Sequence, residues 1–241
     1  MEVPLYFYLA YKYLDRLSPG SVDTTLKVLD KIDDKNILNV LDIGCGVGQA
    51  TILLANRFEN ATIESIDLFK HYLSLLDEKI AENNLDDRVF TYQMDMRDPD
   101  FANEEFDIVF SEASIEIIGF KKGLKEWKRL LKPNGYLIVS DISWISKPSN
   151  ESRKFWKNTY GEVDTIENKI SQIKDEGYEF LDYVIVPKDD WESYYVELEK
   201  NLNVLRSDKS ARDFVKQLKK EIDVYRSNSD DYSYVFYIMK L

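Results

Sequence analysis

The sequence predicts a doubly wound α/β fold, built on a mostly parallel sheet of seven strands. Three observations carry that reading. Short apolar runs alternate with longer stretches of helical period from residue 37 to residue 141. One of those runs, Ile37 to Ile43, ends in glycines at alternate positions, Gly44, Gly46 and Gly48, and then passes into a helical stretch. The 241 residues, 44% hydrophobic and 32% charged, suffice for a sizeable core, so residues 1–241 read as one domain.

The elements follow in order. Tyr6, Phe7, Tyr8, Tyr11 and Tyr13 lie on an amphipathic pattern, which predicts an N-terminal helix that packs on the domain or covers a ligand. Ser18-Pro19-Gly20-Ser21 breaks the chain, and Val22, Leu26, Leu29 and Ile32 mark a helix over 22–33. Residues 36–141 then form the core of the sheet. Strands are expected at Ile37–Ile43, Ala61–Ile66, Arg88–Gln93, Phe106–Phe110 and Tyr136–Ser140. Helices are expected at Ala50–Phe58, Phe69–Asn83 and Lys121–Leu131, the last stopped by Lys132-Pro133-Asn134-Gly135. Right-handed crossovers place these helices on both faces. Residues 142–163, rich in Trp, Ser, Lys and Asn, read as a lid-like insertion. Residues 164–241 return to the sheet: a helix over Asp164–Glu176 capped by Asp164 or Thr165, a strand at Tyr178–Pro187, two charged helices near 190–206 and 209–226, and a last, antiparallel strand at Asp231–Leu241.

Composition narrows the function. Against 32 Lys and Arg stand 44 Asp and Glu, a net charge of −12 that repels phosphates and anionic lipid. No nucleic-acid or membrane partner is expected. The basic run Lys121, Lys122, Lys125, Lys128 and Arg129 reads as a solvated helix face. One cysteine, Cys45, excludes an internal disulfide and a cysteine-built zinc site, and one histidine, His71, leaves little for any metal. The first residues lack both a spanning apolar run and a basic signal region, so a cytoplasmic protein, monomer or homodimer, is expected.

The strongest local signal is Val40-Leu41-Asp42-Ile43-Gly44-Cys45-Gly46-Val47-Gly48-Gln49. Glycines let a ligand lie against backbone at the carboxyl end of a strand, where open α/β sheets bind ligands. The dinucleotide fingerprint wants a glycine where Gln49 stands, and Asp42 would repel a pyrophosphate while pairing with a cationic amino group. Asp67, closing the second strand, is placed to accept both hydroxyls of a ribose or to cap the next helix. Asp95 can accept from an adenine amino group, with Met96 or Leu68 over the ring.

With VLDIGCGVGQ, then IDLF, then QMDM, then FDIVFSEASIEIIGFKKGLKEWKRLLKPNGYLIVSD, the chain resembles the class I S-adenosylmethionine-dependent methyltransferases, whose fold is Rossmann-like. Ser18 to Ser21, the Ser140–Trp144 step, Phe155-Trp156 and DTIENKISQIKDEGY extend the likeness to a narrower bacterial and archaeal group of small-molecule methyltransferases. The resemblance implies a cofactor, S-adenosyl-L-methionine, and roles by position. Asp42, Gly44, Gly46 and Gln49 would line its methionine part. Asp67 would hold the ribose, and Leu68, Asp95 and Met96 the adenine. Ser111 and Glu112 would face the sulfonium and the acceptor, and Ser21 joins the cofactor-binding candidates. Ser111-Glu112-Ala113 departs from the Asn-Pro-Pro-Tyr type motif of amino-methylating DNA and protein enzymes.

In-line methyl transfer needs an acceptor held and stripped of water, and a base only where the acceptor must lose a proton. Glu112 is the first candidate, followed by Glu116, Asp141 and His71. Tyr6, Tyr11, Trp144, Trp156, Trp191, Tyr194 and Tyr195 are candidates to line the acceptor side, since aromatic faces attract cations. A protein acceptor, a nicotinamide-dependent oxidoreductase and a non-catalytic scaffold are the alternative readings.

Overall fold

The computed structural model describes residues 4–33, 36–161 and 163–241. Residues 1–3 of the expected first helix, 34–35 before the first strand and 162 of the expected insertion lie outside the described residues. The sheet is ordered β3-β2-β1-β4-β5-β8-β7. Its strands are β1 (Asn39–Ile43), β2 (Thr62–Asp67), β3 (Val89–Gln93), β4 (Phe106–Ser111), β5 (Leu131–Trp144), β7 (Glu179–Ile185) and β8 (Tyr232–Lys240). An eighth piece that periodicity does not reveal, β6 (Asp164–Thr165), pairs with the end of β5. β1 to β5 run parallel, and β8 lies antiparallel between β5 and β7, as the terminal strand was expected to run.

Nine α-helices connect the strands among the described residues: α1 (Leu5–Ala10), α2 (Val22–Leu29), α3 (Gln49–Arg57), α4 (Lys70–Glu82), α5 (Phe120–Trp127), α6 (Asn150–Thr159), α7 (Ile166–Asp175), α8 (Lys188–Val204) and α9 (Arg212–Ser227). Period two in the strands sends alternate side chains to opposite faces. Val40, Ile63, Ile108 and Ile138 meet Leu29, Leu54 and Leu76 on one face. Leu41, Val109, Leu137 and Val139 meet Leu124, Trp127 and Ile173 on the other. β8 is buried on both faces, because it has a strand on each side and helices above and below.

The insertion expected at 142–163 is only partly one. Residues 142–144 continue β5. α6 is fastened rather than loose: Ser149 caps it by accepting from the Ser152 amide at 3.1 Å, and Ser152 donates to Asp231 at 2.6 Å. Phe155 and Trp156 are buried. The basic run on α5 is half structural. Lys121, Lys122 and Lys125 are exposed, whereas Lys128 donates to the Glu176 carbonyl and Arg129 to those of Pro99 and Phe101. No described helix is long and apolar enough to cross a membrane, and no described group of His, Cys, Asp and Glu could hold a metal ion.

Candidate functional site

The strand order reverses between β1 and β4, and a crevice opens there at the carboxyl ends. A cavity of about 440 Å³ fills it. The β1–α3 loop is its floor. The Gly44 and Cys45 amides donate to the Ile66 carbonyl at 2.8 and 3.0 Å, which carries strand pairing into the loop. Gly44 sits at φ +74°, and a side chain there would strike the Ser114 hydroxyl. Gly48 caps α3 in the left-handed conformation, with Leu76 packed where a Cβ would go. The bend thus needs glycine for both conformation and room.

Asp67 fastens this loop. One carboxylate oxygen accepts from the Gly46 amide at 3.0 Å and the other from the Phe69 amide at 2.8 Å. Each oxygen keeps a lone pair for a ligand hydroxyl. Burial raises its pKa, while these amide bonds oppose the rise. Asp42 is almost fully buried and accepts from the Thr51 hydroxyl at 2.6 Å. Burial pushes its carboxyl up to about 7, with Glu112 and Asp67 adding to the rise. A cation beside it would favour the ionised form.

Gly44, Gly46, Gln49, Asp42, Asp67, Leu68, Asp95, Met96 and Glu112 all line the cavity, so nine of the sequence-derived positions converge. Asp95 accepts from the Arg97 amide and guanidinium, chiefly the amide, and its pKa falls. Met96 is held from behind by the Trp127 indole, which donates to its carbonyl at 3.0 Å.

Two positions are corrected. Ser21 is not on this cavity: its hydroxyl caps α2 by accepting from the Thr24 amide, and its carbonyl accepts from Arg16. Ser111 is fully buried and shares a hydrogen bond with the Ser114 hydroxyl at 2.9 Å. Ala113 and Ser114 reach the cavity in its place.

Arg16 is the residue that sequence reasoning missed. It donates to Glu112 at 2.5 Å, with both side chains about nine-tenths shielded, and also to the Ser21 carbonyl and the Thr25 hydroxyl. Gly20 makes room for the pair, since a Cβ there would stand 2.6 Å from the Glu112 carboxylate. The other Glu112 oxygen is buried without a partner. Nothing in the spacing marks Arg16; only the break at Ser18-Pro19-Gly20 hinted that this segment turns back toward the sheet.

The remaining base candidates separate clearly. Asp141 is paired to the buried Lys169 at 2.5 Å, so it has a structural partner in place of a proton to accept. His71 is exposed against the Tyr8 ring. Glu116 is half-buried, accepts from the Tyr234 hydroxyl at 3.1 Å, and is pushed up to about 8 by burial and by Asp141. Among the aromatic candidates Tyr11 lines the cavity, together with Phe7 and Tyr160. Trp156, Trp191 and Tyr194 line an adjoining chamber. Tyr6 packs on Phe214, Trp144 on Tyr232, and Tyr195 is buried.

This architecture is a ligand crevice at the switch point of an open α/β sheet, and comparison with known proteins shows what it is similar to. Residues 40–135 match the family model described as a methyltransferase domain. That stretch, less than half of the chain, is similar to a methyltransferase domain. The chain is 30% identical over 133 residues to a protein of Haemophilus influenzae, covering 54% of this chain and 53% of that one. It is 26% identical over 207 residues to phosphoethanolamine N-methyltransferase 1 of Arabidopsis thaliana, covering 85% of this chain and 40% of that one. The chain thus spans about half the length, or less, of these curated relatives. A crystal structure of an S-adenosylmethionine-dependent methyltransferase from Thiobacillus denitrificans, in complex with S-adenosyl-L-homocysteine, superimposes with a TM-score of 0.85 at 17% identity and covers 99% of both chains. At that identity the likeness shows the fold.

Proposed function

We propose that this chain transfers a methyl group from S-adenosyl-L-methionine to a small-molecule acceptor by in-line displacement. The observation that carries the reading is the single cavity in which a bare glycine loop, the Asp67 carboxylate and the Arg16–Glu112 pair face one another. These residues fit the cofactor chemically. Asp67 has acceptor capacity for the ribose hydroxyls, Leu68 and Met96 offer apolar cover for the adenine, and Asp95 an acceptor for its amino group. Arg16 and Glu112 offer opposite charges to an amino-acid end that carries both a carboxylate and an ammonium. When bound, the cofactor supplies an electrophilic methyl on a cationic sulfur. The chain's own work is to orient and to exclude water, worth roughly 7–11 kcal/mol in well-aligned systems.

Glu112 therefore takes the part of a cofactor-binding group rather than of the base first assigned to it, since Arg16 already occupies one of its oxygens. The enzyme named among the relatives that acts on phosphoethanolamine supports a small-molecule acceptor here. The net charge of −12 speaks against nucleic acid. Calorimetric titration with S-adenosyl-L-homocysteine tests the reading. Gly46→Val and Asp67→Ala are each expected to weaken binding at least about tenfold, the loss of one charge-assisted hydrogen bond or more. Unchanged affinity in both variants would overturn it. Labelled cofactor incubated with a metabolite extract would then reveal the acceptor.

A further inference from the structure

The cofactor cavity adjoins a smaller chamber of about 190 Å³, and Tyr11, Leu17, Ser18 and Tyr160 line both. Half of its other lining residues are aromatic, Trp156, Trp191, Tyr194, Phe214 and Tyr234. Trp156 stacks on Tyr160 at 5.2 Å, and Trp191 stacks on Tyr234 at 5.4 Å. One charged group lines the chamber among the described residues, Glu221, and no Lys, Arg or His does. Glu221 accepts from the Tyr195 hydroxyl at 3.1 Å. A second carboxyl group stands behind, one that an arriving cation would help to ionise: Glu116 accepts from the hydroxyl of Tyr234, and its other oxygen is buried without a partner.

Aromatic faces and carboxylates both attract positive charge, and a low-dielectric enclosure strengthens each. Lys169 acts on Glu116 from outside the chamber, but none of the described residues lining the chamber is a cation, so its walls select one from outside. The volume suits a small head group and leaves no room for a folded segment. Resting on the methyltransferase reading above, we infer that this chamber receives the acceptor through an amine, and that the amine nitrogen is the atom methylated. The incoming ammonium gives one proton to the Glu221 carboxylate, and the electrons of that N–H bond stay on nitrogen as its lone pair. That lone pair forms the N–C bond to the methyl as the C–S bond breaks. The electrons of that bond stay on sulfur, which becomes a neutral thioether, and the positive charge passes to the methylated nitrogen.

The chamber's tryptophans provide a readout independent of turnover. The whole protein, saturated with S-adenosyl-L-homocysteine, is titrated with choline and with its neutral isostere 3,3-dimethylbutan-1-ol while tryptophan fluorescence and heat are followed. Choline should bind at least about tenfold more tightly than the alcohol, as a desolvated cation–aromatic contact provides. Glu221→Gln should erase about tenfold of choline affinity and leave the alcohol unchanged, and Phe214→Leu should weaken choline with Glu221 intact. Equal affinity for the two probes, no binding of either, or a choline affinity indifferent to both substitutions would overturn the assignment. S-adenosyl-L-homocysteine binding, measured in every sample, reports folding and keeps the two readings apart. A wild-type chain that fails to bind it refutes the methyltransferase reading. One that binds it yet prefers the alcohol refutes the amine alone.

Discussion

The cofactor side and the acceptor side of this crevice are built in opposite ways. The first is local: Asp42 to Gln49, Asp67 to Phe69 and Asp95 to Met96 are three short loops, each at the end of its own strand. Its specificity lies in backbone, bare glycine and carboxylates. The second is assembled from Tyr11, Trp156, Trp191, Phe214 and Tyr234, far apart in the chain and carried by four helical regions and a strand. Its specificity lies in the faces of large rings. A site of the first kind can be read as a motif, while one of the second kind exists only once the chain has folded. Arg16 lies outside the three loops yet lines the cofactor cavity, where it holds Glu112 across the crevice beside Leu17 and Ser18, which line both cavity and chamber.

That contrast can be broken most forcefully at its seam. Arg16→Ala strands Glu112 as an uncompensated, shielded charge and should cost about 3–5 kcal/mol of unfolding free energy in urea, most of it regained in the Arg16→Ala/Glu112→Ala double variant. Additive losses in the double variant would show that Arg16 and Glu112 do not act as a coupled pair. Next in size, Asp67→Asn should lower cofactor affinity by about ten- to a hundredfold, because it weakens both ribose binding and the clamp on the Gly46 amide. Choline binding in the chamber should stay the same, and a parallel loss there would erase the division between the sides.

Acid titration reaches both sides, since burial also lifts Asp42 on the cofactor side to about 7. Burial lifts Glu116 from an ordinary 4.5 to about 8 and Glu221 from 4.5 to about 7. The folded protein holds these protons where the unfolded chain releases them. Their contribution to stability is therefore full below about 4.5 and is lost as pH rises through the folded values. The Tm of the ligand-free protein should fall between about pH 5 and 8, and Glu116→Gln with Glu221→Gln should lessen that slope, leaving the share of Asp42. A slope unaltered by the pair would place the titration elsewhere. The smallest expected effect is that of Tyr194→Phe. It removes a hydroxyl that donates to the Leu17 carbonyl at 3.0 Å, and should cost about 0.5–1.5 kcal/mol.

Legibility of the sequence follows the same division. Apolar runs gave away β1, β2, β4 and β5 because inner parallel strands are shielded on both faces, the glycines marked the turn after β1, and the half-exposed edge strand β3 showed in its alternation. Ser21 and Ser111 were misplaced because the sequence shows that they sit beside the motif but not which way they point. Ser21 spends its hydroxyl on a helix cap, and Ser111 turns inward to Ser114. The run-on of β5 to Trp144 was hidden because its partner, β8, lies more than eighty residues away. The chamber was glimpsed only as a surplus of tyrosine and tryptophan, and four of the seven aromatic candidates line the cavity or the chamber.

The antiparallel β8 also sets an order of events in biosynthesis. Among the described residues β7 is hydrogen-bonded to the sheet through β8 alone, and β8 follows it in the chain. A nascent chain emerging from its amino end can complete β1 to β5 early, but it must leave β7 unmoored until Tyr232 to Lys240 has left the ribosome. Through that interval the flank of β5 and the rings of β8's future neighbours stand open to solvent, the moment at which a holdase chaperone would have most to cover.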